Sequence, residues 1–195
     1  MGELDTSFSQ LVSLAAHDLR TPLATIHGFA QTLVRMNNLA DPQDRYVEMI
    51  AAAAAQLAEL LDELGLAARI ESGFYEPNLQ PVDTLELAQG AAERLGPERV
   101  RIEGAGGTVH VDVGATKRGF SALAQAALRH GGFDEVTCSA DGQALTIRPV
   151  TAASGPVVLG EDLRDLGAAV AVRLVHALGG EVELDSEAVV VRLPA

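Results

Sequence analysis

Two apolar stripes at helical spacing, one on each side of a turn signal, dominate the first 70 or so residues and restrict what the chain can build. At about 100° per residue, Phe8, Val12, Ala15, Leu23, Ile26, Ala30 and Leu33 all fall within roughly 40° of Leu19. The turn signal is NNLADPQD, which sets Asp41 to cap a second helix with Pro42 at its first position. The second stripe runs through Val47, Ile50, Ala54, Leu57, Leu61 and Leu64, past the helix-forming alanine run at 51–55. A helical hairpin with one apolar face per helix cannot enclose a core by itself. Pairing with a second copy into a four-helix bundle is the simplest remedy, so a homodimer is expected.

The composition changes at ESGFYEPNLQP, where Gly, Pro and Asn mark a linker. The expected organisation is therefore a hairpin domain at 1–72, a linker at 73–81 and a second domain at 82–195. Beyond the linker, helices are expected near 83–95, 115–130 and 162–178. Strands are expected near 99–103, 108–112, 134–139, 143–149, 181–185 and 188–193. Asp141-Gly142 supplies the turn of the hairpin between VTCSA and QALTIR. Helices and strands interleaved in this way give an α/β layer with helices on one sheet face, and the whole chain reads as α+β.

A formal net charge of -13 repels phosphate backbones and anionic lipid surfaces, and no basic patch offsets it. Neither nucleic acid nor a membrane is expected as a partner. The single cysteine, Cys138, excludes a disulfide framework, fits a reducing cytosol and is expected inside a strand. No apolar run approaches the roughly 20 residues of a membrane span, and the N-terminus carries no signal-peptide pattern. A cytoplasmic location is expected.

The chemistry concentrates in AAHDLRTPL at 15–23. On the helical wheel His17 lies about 160° from the apolar stripe, and Thr21, one turn on, lies about 40° from His17. Both face solvent. An exposed imidazole with a pKa near 6.5 is substantially neutral at neutral pH and offers a nucleophilic nitrogen. Asp18 is placed to accept the other ring proton, and Arg20 to meet a phosphoryl group or an acidic partner. Pro22 cannot donate to the carbonyl of Asp18, so a bend or loosening just after His17 is expected.

Residues 13–33, SLAAHDLRTPLATIHGFAQTL, resemble the H-box of two-component sensor histidine kinases, and LAARIESG at 66–73 is similar to that family's junction before its ATP-binding domain. The resemblance implies that His17 is the phosphorylated residue. It further implies that Asp18 assists as acid or base, and that Thr21 orients water in a phosphatase reaction. It also implies that receiver domains of response regulators are the partners, engaging the surface around Arg20 and Pro22. Asp18 stands where the family more often has Glu.

In the second half, RGFSALAQAALRHG at 118–131 is similar to the family helix whose Asn holds the Mg²⁺ of the nucleotide, but Ala122 and Ala126 stand at the Asn positions, with Gln125 turned away. The stretch LTIRPVTAASGPV has no acid where the family recognises adenine. DLGAAVAVRLVHALGG at 165–180 resembles the phosphate-binding helix, yet Asp165 replaces its first glycine, with Glu161 and Asp162 close by. Carboxylates there are expected to repel a triphosphate. His130 and His176 are taken as members of the helical frame.

The expectation is therefore a histidine phosphotransferase with a degenerate ATPase-like domain. It would pass a phosphoryl group through His17 to and from receiver aspartates without binding ATP. It would hold no cofactor or metal of its own, and Mg²⁺ would come with the receiver. Two alternatives stay open: the catalytic core of an ATP-dependent sensor kinase, and a non-enzymatic pseudokinase scaffold.

Overall fold

The computed structural model describes residues 2–36 and 43–195, so the expected turn with Asp41 and Pro42 lies outside the described residues. The chain divides into two compact units, Met1–Tyr75 and Glu76–Ala195.

The first unit pairs α1 (Gly2–Met36) with α2 (Gln43–Glu71). The apolar stripe of α1 splits into two lanes. Ala16, Leu23 and Ala30, seven residues apart, are buried, as are Ala51, Ala54, Gly65 and Ala68 on α2. These are nearly all small residues, which lets two helix backbones approach closely. A Cβ built at Gly65 would stand 3.7 Å from Ala16 Cβ. The larger residues of the stripe, Leu19 at 54% exposure together with Ile26, Leu33, Ile50, Leu57 and Leu64, remain exposed in the single chain. His27 Nδ1 lies 3.1 Å from the Ala51 carbonyl and ties the two helices together. The helix runs on as one element through Pro22.

At the end of α2 the chain turns in the manner of a Schellman motif. Phe74 N–H donates to the Arg69 carbonyl, Gly73 N–H donates to that of Ile70, and Gly73 takes a φ of 73° that suits glycine.

The second unit contains β1 (Leu79–Asp83), α3 (Thr84–Leu95), β2 (Val100–Gly106), β3 (Thr108–Asp112), α4 (Val113–Gly131), β4 (Val136–Gly142), β5 (Ala144–Arg148), α5 (Gly155–Val158), α6 (Leu166–Ala177), β6 (Glu181–Asp185) and β7 (Ala188–Arg192). A five-stranded sheet runs β2-β4-β5-β7-β6, and β1 pairs with β3 in a separate antiparallel ribbon. Pairing of β2 with β4 is parallel; the other ladders are antiparallel. Alternate strand residues, among them Val136, Cys138, Leu145, Ile147, Val189 and Val191, enter one core with Leu87, Phe120, Leu123, Leu128 and Val175 from the helices. Aspartates start all three long helices: Asp83, Asp112 and Asp165 each accept a backbone N–H of the first turn.

Three local expectations change. Residues 79–81, expected as linker, belong to β1, where Pro81 faces His110 in a two-stranded ribbon that tolerates a missing donor. Asp141 pairs with Ala144, so Gly142 and Gln143 form the hairpin turn rather than Asp141 and Gly142, with Gly142 at a φ of 55°. The helix expected from 162 starts at Leu166, because Asp165 caps it there. Among the described residues no helix is long and apolar enough to cross a membrane.

Candidate active site

His17, Asp18, Thr21 and Pro22 of α1 are all exposed, as the wheel requires of His17 and Thr21. The His17 side chain is 74% exposed, and its Nδ1 lies 3.2 Å from Asp18 Oδ1. An ionised carboxylate only accepts, so this contact places the ring proton on Nδ1 and leaves the lone pair on Nε2 directed away from Asp18. The arrangement is an accessible nitrogen nucleophile with a carboxylate behind it, the geometry that nucleophilic catalysis by histidine needs.

Arg20 is not free. Its Nε and Nη2 both donate to Asp62 Oδ1 on α2, at 3.1 and 2.6 Å. Sequence reasoning missed Asp62, because the register of an antiparallel helix pair is not written in either helix alone. Thr21 keeps its side chain exposed, one turn from His17, while its carbonyl accepts from Thr25 Oγ1.

In the second unit Ala126 is fully buried on the core face of α4, whereas Ala122 and Gln125 are only half-buried. Asp165 is buried as well, and its charge is answered on every side. Oδ1 accepts from Ala168 N–H at 3.1 Å, and Oδ2 lies 3.3 Å from Arg129 Nη1 and 3.2 Å from His130 Nε2. His130 is thus a partner of Asp165 rather than a passive member of the frame, while His176 is exposed in the last turn of α6. Asp162 pairs with Arg164 at 2.7 Å. The Cys138 thiol is buried in β4, and burial pushes its pKa up to about 12, which makes it a poor nucleophile. Among the described residues no group of three or more His, Cys, Asp or Glu side chains is arranged to hold a metal.

Residues 9–73 match the His Kinase A (phospho-acceptor) domain. The chain is 29% identical over 94 residues to the sensor protein DivL of Caulobacter vibrioides, and 32% identical over 97 residues to the probable sensor histidine kinase TcrY of Mycobacterium tuberculosis. Each alignment covers 48% of this chain but only 12% and 20% of those proteins, so the chain spans a small part of the curated relatives' length. Among solved structures, full-length ShkA in complex with AMPPNP aligns over 95% of this chain and 45% of its own, with a TM-score of 0.69 at 22% identity. The histidine kinase AdeS of Acinetobacter baumannii aligns over 91% of this chain and 97% of its own, with a TM-score of 0.59 at 17% identity. At these identities the likeness establishes the fold: a helical region followed by an α/β domain of the histidine kinase ATPase type.

These comparisons overturn the expectation of a phosphotransferase that works without ATP through a degenerate domain. A phospho-acceptor domain, kinase relatives and the kinase ATPase fold occur together, and they favour the sensor kinase alternative. The physical reason lies in the surroundings of the carboxylate at the start of α6. Asp165 was expected to repel phosphates as a bare carboxylate, whereas the fold caps a helix with it and pairs it with Arg129 and His130. Ala126 packs against the core, so it does not report on what an open site contains.

Proposed function

We propose that this chain, with its phospho-acceptor domain and its kinase-type α/β unit, is the catalytic core of an ATP-dependent sensor histidine kinase phosphorylated on His17. The observation that supports this most directly is the exposed His17 ring with Nδ1 held against Asp18 inside the matched segment.

In the proposed step, His17 Nε2 attacks the terminal phosphorus of ATP in line. The N–P bond forms as the bond to the ADP oxygen breaks. The ring gains positive charge, and Asp18 accepts the Nδ1 hydrogen bond more strongly and then the proton. The phosphoryl group next passes to a receiver aspartate of a response regulator, whose own Mg²⁺ would serve that transfer. Thr21, one turn away, would orient water when phosphohistidine or the receiver is hydrolysed. Pro22 leaves the Asp18 carbonyl without its helical donor beside the receiver's docking surface. The exposed apolar lane of α1 and α2 supports a homodimer.

Labelled ATP tests this. The full chain is expected to acquire an acid-labile, base-stable label that His17→Gln abolishes. Absence of label from ATP, or label that survives His17→Gln, overturns the proposal.

A further inference from the structure

Arg20 and Asp62 stand out because the pair is exposed, crosses between helices and begins one turn from the proposed nucleophile. The side chains are 43% and 61% exposed. An exposed ion pair contributes little to stability, so holding the hairpin together is a weak reason for it. Its geometry is more informative. A guanidinium carries five N–H donors, and both bonds to Asp62 end on the single oxygen Oδ1, from Nε and Nη2. Three donors therefore remain. Residues three apart on a helix are surface neighbours, so Arg20 and His17 project from adjoining positions on α1.

We infer that Asp62 is a positioning residue for phosphoryl transfer at His17: it holds Arg20 beside the acceptor with part of its N–H fork free for the phosphoryl oxygens. Arg20 has the planar, multidentate geometry that suits a phosphoryl group. Left to itself, its long side chain samples many rotamers, and the carboxylate on α2 selects one of them. Asp62 touches neither donor nor phosphoryl group and acts through Arg20. The inference rests on His17 being the acceptor, and it does not depend on ATP as donor.

That independence shapes the test. Phosphoramidate phosphorylates imidazole directly: an N–P bond forms at His17 Nε2, the P–N bond of the donor breaks, and ammonia leaves with the proton the ring releases. The donor is an anion approaching a chain of net charge -13. Removing the Asp62 charge would by electrostatics alone speed loading. Positioning predicts the opposite sign.

Loading of the full chain is followed by intact mass, with His17→Gln as the blank. Asp62→Asn is expected to load His17 about tenfold more slowly than the unaltered chain, and Asp62→Glu to stay within about twofold of it. In an Arg20→Ala background, Asp62→Asn should cause no further slowing. Unchanged helical circular dichroism confirms folding of each variant. Asp62→Asn loading as fast as the parent or faster overturns the inference. So does an equal slowing by Asp62→Asn when Arg20 is already absent. If the parent takes no label from ATP yet these differences appear with phosphoramidate, the kinase proposal fails and the role of Asp62 stands.

Discussion

Thr116, in the first turn of α4, has a buried hydroxyl with no hydrogen-bond partner among the described residues. It lines a small apolar cleft with Phe120, Leu123, Leu145, Leu174 and Val191. Thr116→Val keeps the shape and removes the unsatisfied group, so it should raise stability by about 1 kcal/mol in urea unfolding. Cys138 gives a pH signature. Its thiol stays protonated in the folded state up to about pH 12, against 9.0 as its ordinary value, so the folded chain binds the proton more tightly than the unfolded one. The stability linked to this group is complete below about pH 9 and is lost as pH rises toward 12, by about 4 kcal/mol at most across that window. Compared with Cys138→Ala, the parent should show the steeper alkaline loss in denaturant titrations. At this scale the sequence made His17, Asp18 and Thr21 legible, because a helical wheel assigns exposure from periodicity alone. Asp62, and the pairing of Asp165 with Arg129 and His130, were not legible. Such contacts join residues 35 to 42 positions apart, and no local pattern encodes them.

Elements were more readable than contacts. The strand expected near 134–139 and the helix expected near 115–130 lie within a few residues of β4 and α4, since the signals of an element are repeated along its own length. β1 was missed because Pro81 and Asn78 read as loop, and only pairing with β3 makes Leu79–Asp83 a strand. The division of the α1 stripe into a buried small-residue lane and an exposed large-residue lane also escaped the wheel. Leu19 and Leu23 differ by only about 40° there, yet Leu23 is buried and Leu19 exposed. Gly65 is buried in this helix pair, where a Cβ would make an ordinary contact with Ala16. Gly65→Ala should therefore stabilise the hairpin by about 0.5–1 kcal/mol, and Gly65→Leu should destabilise it by forcing the helices apart. Thermal melts of the two variants provide the check.

For the whole molecule, the two units differ in how complete their cores are. The second unit buries large side chains from both sheet and helices, whereas among the described residues the first buries mostly alanines and leaves Phe29 70% exposed. A fragment of residues 76–195 should therefore unfold cooperatively without the hairpin. In the intact chain, the transition reporting on the hairpin should move to higher temperature as protein concentration rises, while that of the second unit stays fixed. Calorimetry over a hundredfold concentration range distinguishes the two. The order of strands sets a timetable for folding. The hairpins β4-β5 and β6-β7 close over a few residues, but β2 meets β4 in parallel register, Val100 against Val136, with β3 and α4 in the chain between them. Local hairpins form in microseconds, and long-range parallel pairing waits on loop closure. During synthesis, then, β2 leaves the ribosome well before the strand it will lie beside, and for that interval its ladder edge is the part of the nascent chain most in need of shelter.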